Sequence, residues 1–379
     1  MSTSLQLPIA ARGVLSSTAL ALALSACTHL PVTNTAIPRL RHQAPYVLPE
    51  TRLLEVSDAM TAFVNRYVKA AIHPEKKAWA LAHATLDPGV LNFEYDPLVT
   101  LTSAEAFAAR KGNCLTFSSL FIAMAREAGL DAWYQEVEVQ PEWNSVKETV
   151  LVTMHVNAVV RHRGSQYTID ISRTGQAPHA DVRRISDAEA QAQYFNNLGA
   201  DALVDSDLPR AYAYFRAAIL THPGLAYTWS NLGVVLKRNG QTEDARLAYL
   251  EALRLDSGQS TALNNLQIIY VEQGDFAAAE AIQARVEKNR RSNPYYLLHL
   301  ARVANEENRH AEAIDLLERA IRLKTDDYRF HLALAESLYR SGQRELAQNS
   351  LDRAHRLLPS GVESVELTLP GAAPPGDSP

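Results

Sequence analysis

The spacing of apolar positions along the chain divides it into two parts. Before residue 190, residues 51–72 and the run after Cys114 have apolar side chains every three or four positions, as helices do, whereas residues 152–160 and 166–173 alternate or run apolar, as strands do. After residue 190 only the helical spacing continues. The pattern predicts an α+β domain followed by an all-α solenoid.

The all-α part repeats with a period of 34 residues over 192–361, in five segments without a gap. Every segment has leucine at its seventh position and alanine at its twentieth. The eighth position is small in four of the five, so each pair of helices can approach closely. The third segment has Gln267 there and Gln283 at an apolar position, and we expect looser packing in it.

These positions resemble the tetratricopeptide repeat family, which implies a right-handed superhelical array whose concave groove binds a protein or peptide partner. The family frame places polar and aromatic side chains on the groove: Asn196, Tyr227, Lys237, Asn264, Tyr295, Arg302, Asn305, Arg329 and Tyr339. Polar residues on a solvated helix surface are the alternative explanation of this set.

The first 27 residues contain an apolar stretch that is too short to span a bilayer and that ends in "LSAC". This ending resembles a bacterial lipobox, which implies a signal peptide over 1–27 and a lipid on Cys27. Ordinary signal cleavage beside an incidental cysteine is the alternative. Thr28 after the cysteine implies an outer-membrane protein that faces the periplasm. We expect residues 28–50 to be a tether and 362–379 a disordered tail.

Charge and motif spacing exclude several other functions. A net charge of -5 and a pI near 6.2 give no basic surface for nucleic acid. None of the twelve histidines falls in a metal-binding spacing, and there is no glycine-rich phosphate loop. We therefore expect no metal, no cofactor and no nucleic-acid partner.

Cys114 is the chain's only cysteine besides Cys27, and it directly precedes a core-facing helical run, "FSSLFIAMA" among its residues. The amide groups at a helix N-terminus favour a thiolate, so Cys114 is a candidate nucleophile. A small buried apolar residue at the start of a core helix is the alternative.

A histidine and an aspartate occur on the two candidate strands that follow. If the turn between them centres on His162 and Arg163, then His155 lies directly opposite Asp170, within reach of a hydrogen bond. A shift of one residue would put the two side chains on opposite faces. Together with Cys114 they would supply a nucleophile, a base and an orienting acid.

Residues 51–190 resemble the transglutaminase-like superfamily of papain-type folds, through "GNCLTFSSLFIAMAREAGL", "MHVNAVV" and "YTIDIS". The resemblance implies a Cys114, His155 and Asp170 triad that attacks a carboxamide or peptide carbonyl and passes the acyl group to an amine or water. The backbone amide of Cys114 is a candidate oxyanion donor, and Tyr95 or Asn113 is a candidate second donor. A non-catalytic scaffold for envelope proteins is the alternative function.

Overall fold

The computed structural model describes residues 37–71, 73–138, 142–144, 149–151, 154–162, 165–171 and 182–358. The expected lipidation site Cys27, residues 28–36 of the expected tether and the C-terminal tail lie outside these residues. From Pro38 onward the described residues belong to one compact unit. Within the described part of the chain, no helix is both long enough and apolar enough to cross a membrane.

The first domain begins with four helices around a short parallel strand pair. The helices are α1 (Asp58–Tyr67), α2 (Pro74–Leu86), α3 (Ser103–Ala109) and α4 (Cys114–Glu127), and the strands are β1 (Glu94–Tyr95) and β2 (Lys111–Gly112). The amphipathic segment expected over 51–72 contains α1, which is shorter, and α2 was not predicted. A capping box between Thr102 and Glu105 opens α3.

The remaining strands of this domain are β3 (Asp131–Glu138), β4 (Glu142–Asn144), β5 (Thr149–Leu151), β6 (Met154–His162), β7 (Ser165–Ile169) and β8 (Val182–Ile185). Four of them form an antiparallel sheet in the order β7-β6-β3-β8. Helix α4 packs on β3 and β6, and Phe117, Leu120, Phe121 and Met124 on it are fully buried. The core of the domain therefore lies between α4 and this sheet.

Strands β4 and β5 continue the β3–β6 hairpin. Glu138 pairs with Met154 at the end of β3 and β6, and Glu142 pairs with Leu151 at the start of the next antiparallel pair. Three residues separate β3 from β4 but only two separate β5 from β6, so the pairing register shifts by one residue between the two pairs. Strand β4 contacts a helix of the fourth repeat, α11 (Pro294–Glu306).

Ten helices follow, in five antiparallel pairs. They are α5 (Asp187–Val204), α6 (Leu208–Thr221), α7 (Ala226–Arg238), α8 (Thr242–Leu255), α9 (Ser260–Glu272), α10 (Phe276–Arg291), α11 (Pro294–Glu306), α12 (His310–Leu323), α13 (Tyr328–Arg340) and α14 (Arg344–Arg356). From α7 onward, the first helices start at 226, 260, 294 and 328, which confirms the period of 34. Helix α5 begins five residues before 192, the first position of the expected frame.

Small residues at the eighth position allow the close approach expected of each helix pair. A Cβ built on Gly199 would lie 2.7 Å from the ring of Phe215, and one on Gly233 would lie 2.5 Å from the ring of Tyr249. In the third repeat Gln267 instead donates a hydrogen bond to Gln283 at 2.8 Å. A polar pair therefore replaces the glycine-on-ring contact there.

A charged cluster joins the first domain to the first repeat. Arg183 on β8 forms ion pairs with Glu136 on β3 and Glu189 on α5, and Gln193 Nε2 donates to Glu136 Oε1 at 2.7 Å. Glu136 is 7% exposed. Because a buried carboxylate is costly without partners, these bonds favour one arrangement of the domain on the repeats.

Part of the segment expected to be a tether runs along the first two repeats. Gln241 donates from Nε2 to the carbonyl of Arg39 at 2.8 Å and accepts the N–H of Arg41 at 2.8 Å. Tyr212 donates to the carbonyl of Pro38 at 2.9 Å, and Tyr46 contacts the ring of Tyr214. Residues 38–46, which we call the N-terminal strap, are thus bound to the repeats.

Candidate active site

Cys114 is the first residue of α4, as the sequence predicted. Asn113 caps the helix by accepting the N–H of Thr116 at 2.9 Å, and the peptide N–H of Asn113 donates to the carbonyl of Val99 at 2.8 Å. The preceding Gly112 packs so tightly that a Cβ on it would lie 2.2 Å from Thr116 Cγ2. Cys114 is thus a partly exposed residue at a rigid helix start.

His155 on β6 and Asp170 after β7 lie beside each other. His155 Nε2 is 2.7 Å from Asp170 Oδ2, and both side chains are mostly buried. The direct opposition expected of them is wrong: Ala158 pairs with Ile169 and His162 with Ser165, so the turn centres one residue later than expected. Moving the turn by one residue moves the paired residue numbers by two, so both side chains stay on one face, contrary to the expectation for a shifted turn, and the hydrogen bond forms diagonally.

The imidazole also reaches the thiol. Because Nε2 of His155 is bonded to Asp170, the other ring nitrogen, Nδ1, faces Cys114. Burial by itself would lower the pKa of His155, but hydrogen bonds to Asp170 and Cys114 raise it to about 9. Burial would raise the pKa of Cys114, yet the hydrogen bond from His155 and backbone N–H groups of Val156 and Leu115 lower it. Both shifts favour a thiolate and imidazolium pair over a neutral thiol and imidazole.

The structure distinguishes the two candidate oxyanion donors. Asn113 uses both ends of its amide, because Oδ1 accepts from Thr116 and Nδ2 donates to Thr100 Oγ1 at 2.8 Å. Tyr95 lies on β1 with 49% of its surface exposed, and the charges of Cys114 and Asp170 act on its hydroxyl. Only Tyr95 keeps a polar group free to meet a ligand. In the described parts of the chain, no cluster of His, Cys, Asp and Glu is arranged to hold a metal ion.

Several side chains expected in the repeat groove are instead bonded within the array. Asn196 and Asn305 are buried and bond to Asn231 and Ser337 of the next repeat. Tyr295 is buried and donates to Asp327 at 3.0 Å. These three residues join neighbouring repeats, so their polar groups are not available to a peptide.

Other expected groove residues are also occupied. Tyr227 packs near Gln193 and Glu136, where burial first and the two carboxylates next raise its pKa, and Arg329 bonds to Asp327. Lys237 pairs with Glu272 across repeats, and Tyr339 contacts Arg344.

An exposed surface remains on the first helices of the third and fourth repeats. Asn264 and Arg302 are exposed there, as expected. Ile268 and Val271 lie on the same face of α9 as Asn264, with 51% and 50% of their surfaces exposed, and sequence reasoning missed them. They occupy the ninth and twelfth positions of their repeat, which the tetratricopeptide frame places on the groove. The sequence therefore contained the information needed to find them.

Both halves of the chain match models of known families. Residues 61–192 match the transglutaminase-like superfamily, and residues 226–258, 268–328 and 304–359 match tetratricopeptide repeat models. The TPR repeat-containing protein PA4299 of Pseudomonas aeruginosa is 30% identical over 122 residues, which cover 29% of this chain. The match spans half the length of that relative.

Solved structures with low overall similarity also match. A crystal structure of the MamA protein is 18% identical, covers 44% of this chain and 91% of its own, and has a TM-score of 0.25. The structure of PilF from Pseudomonas aeruginosa is 20% identical, with coverages of 46% and 80% and a TM-score of 0.27. From the family models and the helix spacing, the chain carries a transglutaminase-like domain followed by tetratricopeptide repeats.

Proposed function

We propose that this protein is a thiol acyl transferase or peptidase of the transglutaminase-like superfamily. The observation that carries the proposal is the contact between a helix-terminal Cys114, His155 and Asp170, with His155 Nε2 2.7 Å from Asp170. A cysteine at the start of a core helix, packed on an antiparallel sheet that supplies histidine and aspartate, is the papain-type arrangement. The raised pKa of His155 and the lowered pKa of Cys114 match a nucleophile paired with its base.

The first half of the reaction forms a thioester. Cys114 Sγ⁻ adds to a carboxamide or peptide carbonyl carbon, and the π electrons of the C=O bond move to its oxygen. The tetrahedral intermediate collapses, the C=O bond re-forms and the C–N bond breaks. The leaving nitrogen takes the proton of the His155 imidazolium and departs as ammonia or an amine.

The second half returns the enzyme to its starting state. An amine or water gives a proton to His155 and attacks the thioester carbon, and the C–S bond breaks to release the Cys114 thiolate. Asp170 stays ionised and holds the imidazole in the required orientation throughout. An amine acceptor gives a new amide, and water gives a carboxylate.

The repeats recruit the polypeptide that is modified. Tetratricopeptide repeats generally mediate protein–protein interaction, and the exposed apolar pair Ile268 and Val271 beside Asn264 and Arg302 offers both burial and hydrogen bonds. The β4 strand of the first domain contacts α11, which carries Arg302. A polypeptide bound on these helices therefore lies beside the hairpin whose base carries His155.

The enzyme acts in the bacterial cell envelope. The "LSAC" ending of the apolar N-terminal stretch supports lipidation at Cys27, and Thr28 supports the outer membrane, facing the periplasm. Replacing Cys27 with serine should release the chain from the membrane fraction, and retention after a high-salt wash would contradict this location.

Acylation of the thiol tests the catalytic proposal. Because the chain has two cysteines, Cys27→Ser leaves Cys114 as its only thiol. We expect p-nitrophenyl acetate to give a burst of about one p-nitrophenolate per chain, followed by slower turnover, and the burst to vanish in Cys114→Ala. A native protein without a burst, whose thiol reacts only after unfolding, would leave the scaffold function in its place.

Alanine substitution of both Asn264 and Arg302 tests recruitment separately. We expect captured envelope proteins to be lost in a pull-down, with the acylation burst and the thermal midpoint unchanged. Capture that persists would place the partner site elsewhere.

A further inference from the structure

The tetrahedral intermediate of the proposed reaction needs more than one hydrogen-bond donor. Its oxygen carries a full negative charge, and preorganised donors at that oxygen are among the largest contributions to catalysis. The N–H of Cys114, at the free end of α4, supplies one donor. A second must lie beside the thiolate, keep its proton at neutral pH and have no other partner.

Asn113 does not meet the last condition. It is 8% exposed, its Oδ1 is the helix cap and its Nδ2 donates to Thr100. Turning this amide toward a substrate would remove the cap of the helix that carries Cys114 and destabilise the start of that helix. The side chain next to the nucleophile is therefore structural.

Tyr95 is held at the same helix start by backbone pairing. It is the register partner of Gly112, two residues before Cys114. The N–H of Glu94 donates to the carbonyl of Arg110 at 2.9 Å, and the N–H of Asp96 donates to that of Gly112 at 3.0 Å. The position of Tyr95 relative to Cys114 is thus fixed by bonds on both of its sides.

Gly112 makes this close pairing possible. The 2.2 Å distance from its hypothetical Cβ to Thr116 Cγ2 means that any side chain here would push β2 away from α4. Thr116 also ties the next loop to the helix, because its Oγ1 accepts the N–H of Leu101 at 3.0 Å. The strand that pairs with Tyr95 and the helix that carries Cys114 therefore form one rigid turn.

The hydroxyl of Tyr95 is available and protonated. About half of the side chain is exposed, and no described residue forms a hydrogen bond with the hydroxyl. Burial, then the negative charges of Cys114 and Asp170, raise the pKa of Tyr95 above its ordinary value near 10. The hydroxyl of Tyr95 therefore lies within electrostatic reach of Cys114 and Asp170.

We infer that Tyr95 is a further catalytic residue, whose phenol O–H donates the second hydrogen bond to the oxyanion formed when Cys114 attacks. The inference rests on the proposed function. The phenol keeps its proton: it stabilises charge while electrons move onto the carbonyl oxygen and back. Tyr95 should therefore affect acyl transfer and leave the nucleophilicity of the thiol unchanged.

Two reagents separate these effects in the full-length Cys27→Ser protein. Acylation by p-nitrophenyl acetate passes through an oxyanion, whereas alkylation by iodoacetamide is a displacement at carbon that forms none. We expect Tyr95→Phe to slow acylation about 10²-fold and to leave the alkylation rate of Cys114 within twofold. Tyr67→Phe, which removes a hydroxyl of similar exposure on α1, should change neither rate.

The outcomes are distinct. A normal burst in Tyr95→Phe overturns the role of Tyr95 and leaves the proposed function intact. Equal slowing of acylation and alkylation also overturns it, because it would mean that Tyr95 only shapes the site around the thiol. No burst in the parent protein would overturn both the proposed function and the role of Tyr95.

Discussion

His155 Nε2 and Asp170 Oδ2 are 2.7 Å apart although the two residues are not paired across β6 and β7. Asp170 follows the last paired residue of β7, Ile169, and reaches back diagonally to the imidazole. The bond occupies Nε2 and leaves Nδ1 for Cys114. One hydrogen bond thus sets both the orientation of the base and its charge.

Removing the charge of Asp170 should change the pH dependence of the thiol. Since Asp170 helps to raise the pKa of His155 to about 9, Asp170→Asn should lower that pKa, and without the imidazolium the pKa of Cys114 should rise. Alkylation by iodoacetamide at pH 6 should slow about tenfold for each pKa unit that Cys114 gains. The difference should shrink as the pH rises, because the thiolate fraction of both proteins then increases.

Asp131→Asn is the matched control for this profile. Asp131 is an exposed carboxylate at the start of β3 that pairs with Arg161. Its substitution should leave the profile of alkylation rate against pH unchanged. Superimposable profiles for the Asp170→Asn and parent proteins would show that Asp170 does not set the charge of the imidazole.

A side chain at the eighth position should separate the helices of the second repeat. In Gly233→Ala the new methyl would lie 2.5 Å from the ring of Tyr249, and this overpacking should cost about 1–3 kcal/mol in the free energy of unfolding. Gly258→Ala, whose new methyl meets no atom closer than 3.4 Å, should stay within about 0.5 kcal/mol. Urea unfolding measures both.

A double substitution shows whether the clash with the Tyr249 ring causes the loss of stability in Gly233→Ala. In Gly233→Ala with Tyr249→Leu the clash is gone, so the loss should be smaller than the sum of the two single losses. Additive losses would mean that Gly233 matters for another reason.

Loss of Arg183 should weaken the junction between the domain and the repeats. Arg183→Leu leaves Glu136 and Glu189, which are both nearly fully buried, without their cation. Because Arg183 itself is half exposed and water can replace part of it, we expect a cost of about 1–3 kcal/mol. The added substitution Glu136→Gln should recover part of the lost free energy of unfolding, measured with urea. If it recovers none, the unpaired buried carboxylate is not the cause of the loss.

Trypsin should report release of the N-terminal strap. Gln241→Ala removes the two hydrogen bonds that this side chain makes to the backbone of Arg39 and Arg41, so cleavage after these arginines should accelerate severalfold under native conditions. Gln343→Ala changes the equivalent position of the fifth repeat, which the strap does not touch, and should cleave at the parent rate. Equal rates in all three proteins would show that Gln241 does not hold the strap.

Local signals carried most of what the sequence predicted correctly. The run Phe117, Leu120, Phe121 and Met124 located α4, and the recurring small residues gave the repeat period, because each depends on neighbours within one helix turn or one repeat. The β6–β7 register depended on where a single turn is centred. The alternation of side chains does not distinguish registers whose paired residue numbers differ by two, because both put the same side chains on the same face. The contact between His155 and Asp170 still forms because a shift of two in the paired residue numbers keeps both side chains on one face.

Contacts between distant segments could not be predicted in the same way. The bonds of Gln241 to Arg39 and Arg41 span about 200 positions, and the contact of β4 with α11 depends on how two domains pack. The expected groove residues Asn196, Tyr295 and Asn305 had the right position in the repeat, but neighbouring repeats use their polar groups. The position of a residue within the repeat predicts on which face of the helix its side chain lies. It does not predict whether another helix already covers that face.

The strap also determines where mechanical tension enters the folded unit. A pull on the chain ahead of Pro38 meets the hydrogen bonds that Tyr212, Asn239 and Gln241 make to residues 38–41. These hydrogen bonds join an extended segment to two helix pairs and share the tension. The tension therefore passes to the first two repeats. The segment from Thr51 to α1, which leads to the first domain, carries no tension as long as these bonds hold. A tethered molecule could therefore be dragged or sheared without straining the turn at Cys114.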